Sequence, residues 1–121
     1  MNPCTIILLE DDELVASLFK TVLEHAGYTV VCASNSKDLT RLYQQHQPQL
    51  LITDLIMPDH EGIEGIFHLK EIANIPIIAI SVNTTFLKMA EGLVTRTLAK
   101  PFSGEFLLQN VEQVLRQPRQ P

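Results

Sequence analysis

The sequence predicts one α/β domain, an open parallel sheet with helices on both faces. Three observations predict it. Short apolar runs rich in Ile, Leu and Val recur along the chain, and most show no polar alternation, as expected of strands buried on both faces. Each run is followed by a stretch with apolar residues at helical spacing, and strands alternating with helices give parallel pairing with right-handed crossovers. Reactive polar residues gather at the carboxyl ends of the runs, which share one edge in such a sheet.

In order, Thr5-Ile6-Ile7-Leu8-Leu9 is the first buried strand and ends in Glu10-Asp11-Asp12-Glu13. A helix follows, with Leu14, Val15, Leu18, Phe19, Val22, Leu23 and Ala26 on one face and Gly27 just past its end. Residues 28–33 form the second strand. Ser34-Asn35-Ser36 offers caps for a second helix carried by Leu39, Leu42 and Tyr43, closed by His46-Gln47-Pro48. The third strand, Leu50 to Thr53, delivers Asp54 at its end, before Met57-Pro58 stops the backbone. Gly62 and Gly65 punctuate the next loop, and a third helix runs through Ile66, Phe67, Leu69 and Ile72. Pro76 to Ile80 is the fourth strand, ending in Ser81, and residues 84–92 are a short fourth helix. Arg96 to Ala99 is a fifth strand ending in Lys100-Pro101-Phe102, and Ser103 caps a last helix with Phe106, Leu107, Val111, Val114 and Leu115. Residues 1–116 form the domain; 117–121 read as a flexible tail or the start of a linker.

Composition narrows the classes. Apolar residues make up 45% and charged residues 19% of 121 residues, which is a globular composition. The net charge of −5 and the absence of a basic stripe argue against direct nucleic-acid binding. No apolar run approaches the roughly 18 residues of a membrane span, and no leader is evident, so the chain is expected to be cytoplasmic. Cys4 and Cys32 fall at opposite ends of neighbouring strands, more than about 10 Å apart, too far for a disulfide. They read as small buried hydrophobes. His25, His46, His60 and His68 lack the spacing of a zinc site.

The chemistry lies at the strand ends. If the strand order is 2-1-3-4-5, strands 1 and 3 are neighbours, and Asp11, Asp12 and Asp54 meet at the switch point. Three close carboxylates are tolerable around a divalent cation, and hard oxygen ligands select Mg²⁺. Because Mg²⁺ keeps several waters and usually binds one or two carboxylates together with a phosphate oxygen, the cluster points to phosphate chemistry. Lys100 and Ser81 would face the phosphoryl oxygens, and an Asp carboxylate can itself accept a phosphoryl group. Singly, each residue has a plainer use. Asp11-Asp12 reads as a helix cap, Asp54 as a turn cap, Ser81 as a loop hydrogen bond and Lys100-Pro101 as a turn. Their common placement at one end of different strands favours the joint reading.

Taken together, Asp11-Asp12, Asp54-Leu55-Ile56-Met57-Pro58 with Gly62, Ser81 and Lys100-Pro101-Phe102 resemble the receiver domain of two-component response regulators, over essentially the whole chain. The resemblance implies a flavodoxin-like, doubly wound (βα)₅ fold of order 2-1-3-4-5. It implies that Asp54 accepts a phosphoryl group from a histidine kinase or phosphotransfer protein. Mg²⁺ would be held by Asp54, directly by Asp12, through water by Asp11, and by the backbone carbonyl of Ile56. Ser81 and Lys100 would engage the phosphoryl group, with a cis Lys100–Pro101 bond. Output would pass to a partner or output domain through helix 4, strand 5 and helix 5. The domain would be no enzyme beyond assisting its own phosphorylation and dephosphorylation.

Two departures from the family pattern stand out. Thr97 occupies the place of an aromatic switch residue, and the span from Ser81 to Lys100 is short, so helix 4 is expected to be short or irregular. Ile56 and Asn83 would flank the path of an attacking water, and Ile56 cannot orient one, which predicts slow self-dephosphorylation. The second reading is a receiver-like interaction module with atypical or phosphorylation-independent output. A Mg²⁺-dependent phosphatase would want a second Asp where Ile56 stands. A flavin protein would want a Ser/Thr/Gly-rich loop where Glu10-Asp11-Asp12-Glu13 stands.

Overall fold

The computed structural model describes residues 4–56 and 62–116. The Met57-Pro58 stop and the tail 117–121 lie outside the described residues. The elements are β1 (Thr5–Leu9), α1 (Glu13–His25), β2 (Thr29–Ala33), a 3₁₀ turn (Ser36–Asp38), α2 (Leu39–His46), β3 (Leu50–Asp54), α3 (Gly62–Ile72), β4 (Ile77–Ser81), α4 (Thr84–Ala90), β5 (Arg96–Ala99) and α5 (Gly104–Arg116). All strands pair in parallel, in the order β2-β1-β3-β4-β5. This is the flavodoxin-like, doubly wound arrangement expected from the sequence.

The missing alternation has a direct cause. Successive side chains point to opposite faces of a sheet, and both faces here are covered. Ile6, Leu8, Leu50, Ile52, Ile78, Ile80 and Leu98 join α1 and α5 in one core layer. Ile7, Leu9, Leu51, Ile77 and Ala79 join α2, α3 and α4 in the other. β3 and β4 are buried along their whole length. Each such side chain contributes about 1.5–3 kcal/mol on burial.

Helix faces are narrower than the spacing predicts. α1 buries Ala16, Phe19 and Leu23, while Leu14 and Leu18 are 84% and 53% exposed. On α3, Phe67 and Ile72 face outward in the same way. Gly27, at φ +102°, ends α1 as expected. Its N–H and that of Tyr28 bond to the carbonyls of Glu24 and Leu23, closing a Schellman turn. Gly65 lies inside α3 and not in a loop. A Cβ there would stand 2.9 Å from Ser36 Cβ, so its lack of a side chain lets α3 sit against the 3₁₀ turn. Cys32 is exposed on the edge strand and Cys4 half-buried, so neither is a core hydrophobe. No disulfide joins them: the register sets Leu8 against Cys32, leaving Cys4 about four residues away along the sheet, some 13 Å.

Candidate functional site

The register builds the site. Leu9 pairs with Thr53, so the next residues, Glu10 and Asp54, leave neighbouring strands side by side. Glu10 continues the face of Ile6 and Leu8, Asp54 that of Leu50 and Ile52, and Lys100 that of Leu98. These three meet. Lys100 Nζ, on a stem long enough to pass the end of β4, donates to Asp54 Oδ2 at 2.7 Å and to Glu10 Oε1 at 2.6 Å. Asp54 Oδ1 accepts the Ile56 N–H at 3.0 Å. Glu10 and Asp54 are buried, at 4% and 6% exposure. The backbone around them is tied down, with Leu55 N–H to Ile80 C=O at 3.0 Å and Lys100 N–H to Ser81 C=O at 2.9 Å. The Lys100–Pro101 bond is cis.

Glu10, Asp11 and Asp54 bring one carboxylate oxygen each to within 4.8 Å of one another. Three carboxylates face one ammonium, so the pocket carries two uncompensated negative charges. Like charges about 4 Å apart repel by about 4 kcal/mol at the effective dielectric of a protein surface. Glu10 shows the consequence. Burial, with the nearby Asp54 charge adding to it, holds its carboxyl above the ordinary value despite the bonds from Lys100 and the Asp12 N–H. Burial acts to lower the Lys100 ammonium, but its bonds to Asp54 and Glu10 outweigh that and raise it. A cluster of hard oxygens with net negative charge fits a divalent cation of the Mg²⁺ type.

The structure separates the two aspartates of the Asp11-Asp12 pair. Asp11 joins the cluster. Asp12 is the N-cap of α1, where its Oδ1 accepts the N–H groups of Leu14 at 3.0 Å and Val15 at 3.2 Å. Glu10, which the motif reading passed over, holds the third corner. The signal for it was in the sequence, because an acidic residue directly after Leu9 keeps the face of Leu8 and so points where Asp54 points.

The remaining candidates surround this cluster. Ser81 is fully buried at the end of β4, and its Oγ accepts the Asn83 N–H at 3.0 Å. Asn83 is the N-cap of α4, its Oδ1 accepting the Phe86 N–H at 3.0 Å. Ile56 is 43% exposed beside Asp54. Thr97 is half-buried in β5 and pairs with Ala79. α4 is short, as expected, with seven residues against thirteen in α1 and α5. Among the described residues, no helix is long and apolar enough to cross a membrane.

Comparison with known proteins agrees with this geometry. The family model of the response regulator receiver domain matches residues 6–112. A transcriptional regulatory protein of Bacillus subtilis, YrkP, is 34% identical over 92% of this chain, and the match spans 49% of that protein. The polar-differentiation response regulator DivK of Brucella anthropi is 27% identical over 93% of this chain and 97% of its own length. The chain spans about half or less of several curated relatives it matches, a quarter in the case of the regulator NtrC from a Bradyrhizobium strain. Among solved structures, the N-terminal domain of the nisin resistance regulator NsrR superposes with a TM-score of 0.84 at 30% identity, covering 95% of this chain and all of that one. The chemotaxis regulator CheY4 of Vibrio cholerae shares the fold, with a TM-score of 0.85 at 22% identity, over 93% of this chain and 99% of that one.

Proposed function

The chain belongs to the response regulator receiver domain family, and from that premise we propose that it is a phosphorylation-dependent signalling domain with Asp54 as phosphoacceptor. The observation that carries the reading is the juncture of Asp54, Glu10, Asp11 and Lys100 at one sheet edge. The donor in this reading is the phosphohistidine of a histidine kinase or phosphotransfer protein. An Asp54 carboxylate oxygen attacks phosphorus, the P–N bond breaks, and its electron pair leaves with the imidazole, which takes up a proton. Lys100 holds Asp54 Oδ2 in place before transfer and faces the added negative charge afterwards. Glu10, Asp11 and Asp54 would hold a Mg²⁺ whose charge would offset that of the carboxylates and the incoming phosphoryl oxygens.

The cation would be held by Asp11 and Asp54, with Glu10 at its edge and the Ile56 carbonyl as a further ligand. Asp12, expected from the motif as a direct ligand, serves α1 in this arrangement. Ser81 would donate its hydroxyl to the phosphoryl group. Ile56 stands two residues past Asp54, where a phosphatase of this type would carry a second acid/base, so the domain would turn over no external substrate. Output through α4, β5 and α5 to a partner or output domain, in the cytoplasm, belongs to the same reading.

The test is incubation with acetyl phosphate, with and without Mg²⁺, followed by intact mass. A gain of one phosphoryl group that needs Mg²⁺ and disappears in Asp54→Asn is the expected result. An unmodified wild type would favour an interaction module that works without phosphorylation. Ile56, apolar and exposed beside Asp54, offers no hydrogen bond to an attacking water. Ile56→Asn should therefore speed loss of the phosphoryl group by about tenfold or more, and an unchanged rate removes that role.

A further inference from the structure

The sheet has two edges, and they are built differently. β5 begins with Arg96, whose guanidinium donates to Asn110 and Gln113 of α5, and it runs directly into Lys100-Pro101. A charge and a proline are common guards against further strand pairing. β2 has neither. Thr29-Val30-Val31-Cys32-Ala33 carries no charge and no proline. Its register with β1 runs unbroken from Thr29 to Ala33, so no bulge turns the edge away. The Thr29 N–H and the Ala33 C=O bond inward, to Cys4 C=O and the Glu10 N–H. Strand alternation then turns the N–H and C=O groups of Val30 and Cys32 outward, on the side where β2 ends the sheet.

α1 gives this edge a charge pattern. Val22 lies against Gly104 at the start of α5. Lys20 and Glu24, one turn apart, are on the opposite flank of the helix and face β2. Both charges act on the Cys32 thiol, the lysine lowering its pKa and the glutamate raising it. Neither makes an ion pair among the described residues. Cys32 is exposed on the same face, in register with Leu8 of the layer that packs on α1. One charge of each sign along one flank is its own complement after a half-turn.

We propose that two copies of this chain join edge to edge through β2, antiparallel about a two-fold axis at Val31. In that register Val30 of each copy faces Cys32 of the other, and their outward N–H and C=O groups bond to one another. Val31, half-buried on the α2 face, meets Val31 of the second copy at the close spacing of a non-hydrogen-bonded pair, where β-branched side chains pack. Lys20 of each copy faces Glu24 of the other. The strands run in opposite directions across the axis, so the two acidic pockets open at opposite ends and neither is covered. The dimer does not depend on what Asp54 accepts.

The test is sedimentation equilibrium of the full chain in low salt, from micromolar to millimolar. Wild type should show a monomer–dimer equilibrium. Lys20→Glu and Glu24→Lys should each weaken dimerisation about tenfold, because the two-fold turns two attractions into two repulsions. Both changes together should restore it to within about threefold of wild type. Cys32→Pro removes an N–H that β1 does not use, so it should keep the circular dichroism of the fold and abolish the dimer. If Cys32→Pro fails to fold, the charge exchange decides. In Cys4→Ser, a short bismaleimide should join the two Cys32 thiols, whose Cα atoms would lie about 8 Å apart on one face. A chain that stays monomeric throughout overturns the proposal and leaves the edge to a strand of another protein. A dimer that withstands both charge reversals and Cys32→Pro overturns it too, because it uses another surface.

Discussion

Two helices begin at the rim of the acidic pocket, and they begin in different ways. α1 starts at Asp12, whose carboxylate caps two N–H groups by itself. The helix then runs thirteen residues and closes in a Schellman turn. It is also buttressed by α5 and the loop that leads into it. Phe19 stacks on Phe102 at 5.3 Å, and Gly104 admits Val22 so closely that a Cβ there would stand 2.6 Å from it. α4 starts at Asn83, whose own backbone hangs from Ser81. It runs seven residues, with no comparable aromatic stack among the described residues. Both caps are single polar side chains, a carboxylate on two N–H groups in α1 and a neutral amide on one in α4. What differs is what the cap depends on. The α1 cap, Asp12, is held within the helix's own start, and the α4 cap, Asn83, is itself bonded to Ser81 at the end of β4.

The contrast can be broken or sharpened by substitution. The largest effect is expected at Lys100, which serves the pocket and neither cap. Lys100→Met leaves Glu10 and Asp54 buried without their cation. Losing one partner of a buried pair costs about 3–5 kcal/mol, and the partial exposure of the ammonium lowers this to about 2–3 kcal/mol. Urea unfolding in metal-free buffer should show that loss, and added Mg²⁺ should recover part of it by binding the folded state. An unchanged midpoint would mean that the carboxylates do not burden the pocket.

The paired aspartates give the next test. Asp11→Ala should weaken Mg²⁺ binding by at least about tenfold, measured by titration, with little change in stability. Asp12→Ala should cost about 1 kcal/mol of stability through the lost cap and leave Mg²⁺ affinity within a factor of a few. The reverse pattern would return Asp12 to the metal and Asp11 to the solvent.

The smallest effect is a pH dependence. The Glu10 carboxyl is held above its ordinary value of 4.5, so the folded state binds its proton more readily than the unfolded chain. Its contribution is fully present below 4.5 and is lost as pH rises through the folded value. In metal-free buffer, wild type should therefore gain stability relative to Glu10→Gln as pH falls through the folded value toward 4.5. A difference independent of pH would contradict the burial-driven shift.

Much of this was legible from residue order alone. Apolar runs without alternation dictate a sheet covered on both faces, and the polar strand ends dictate one shared edge. Asp54 and Lys100 could be placed because each directly follows a buried run. Glu10 was equally legible by strand alternation, but the paired-aspartate motif, which includes Asp11 of the same cluster, does not include it. Leu14 and Leu18 were misplaced for another reason. Helical spacing marks an apolar stripe without saying how much of it a neighbour covers, and Ala16, Phe19 and Leu23 suffice here. The dependence of Asn83 on Ser81 was not legible, because a two-residue hydrogen bond and a cap leave no periodic trace.

The claim on which the rest depends is that Asp54 carries the phosphoryl group. Borohydride converts an aspartyl phosphate to homoserine, so reduction after treatment with acetyl phosphate and Mg²⁺, followed by peptide mass mapping, locates the acceptor. Homoserine at position 54 alone, absent when Mg²⁺ is withheld, is the expected result. Homoserine at position 11 or 12, or none anywhere after confirmed phosphoryl uptake, would contradict it.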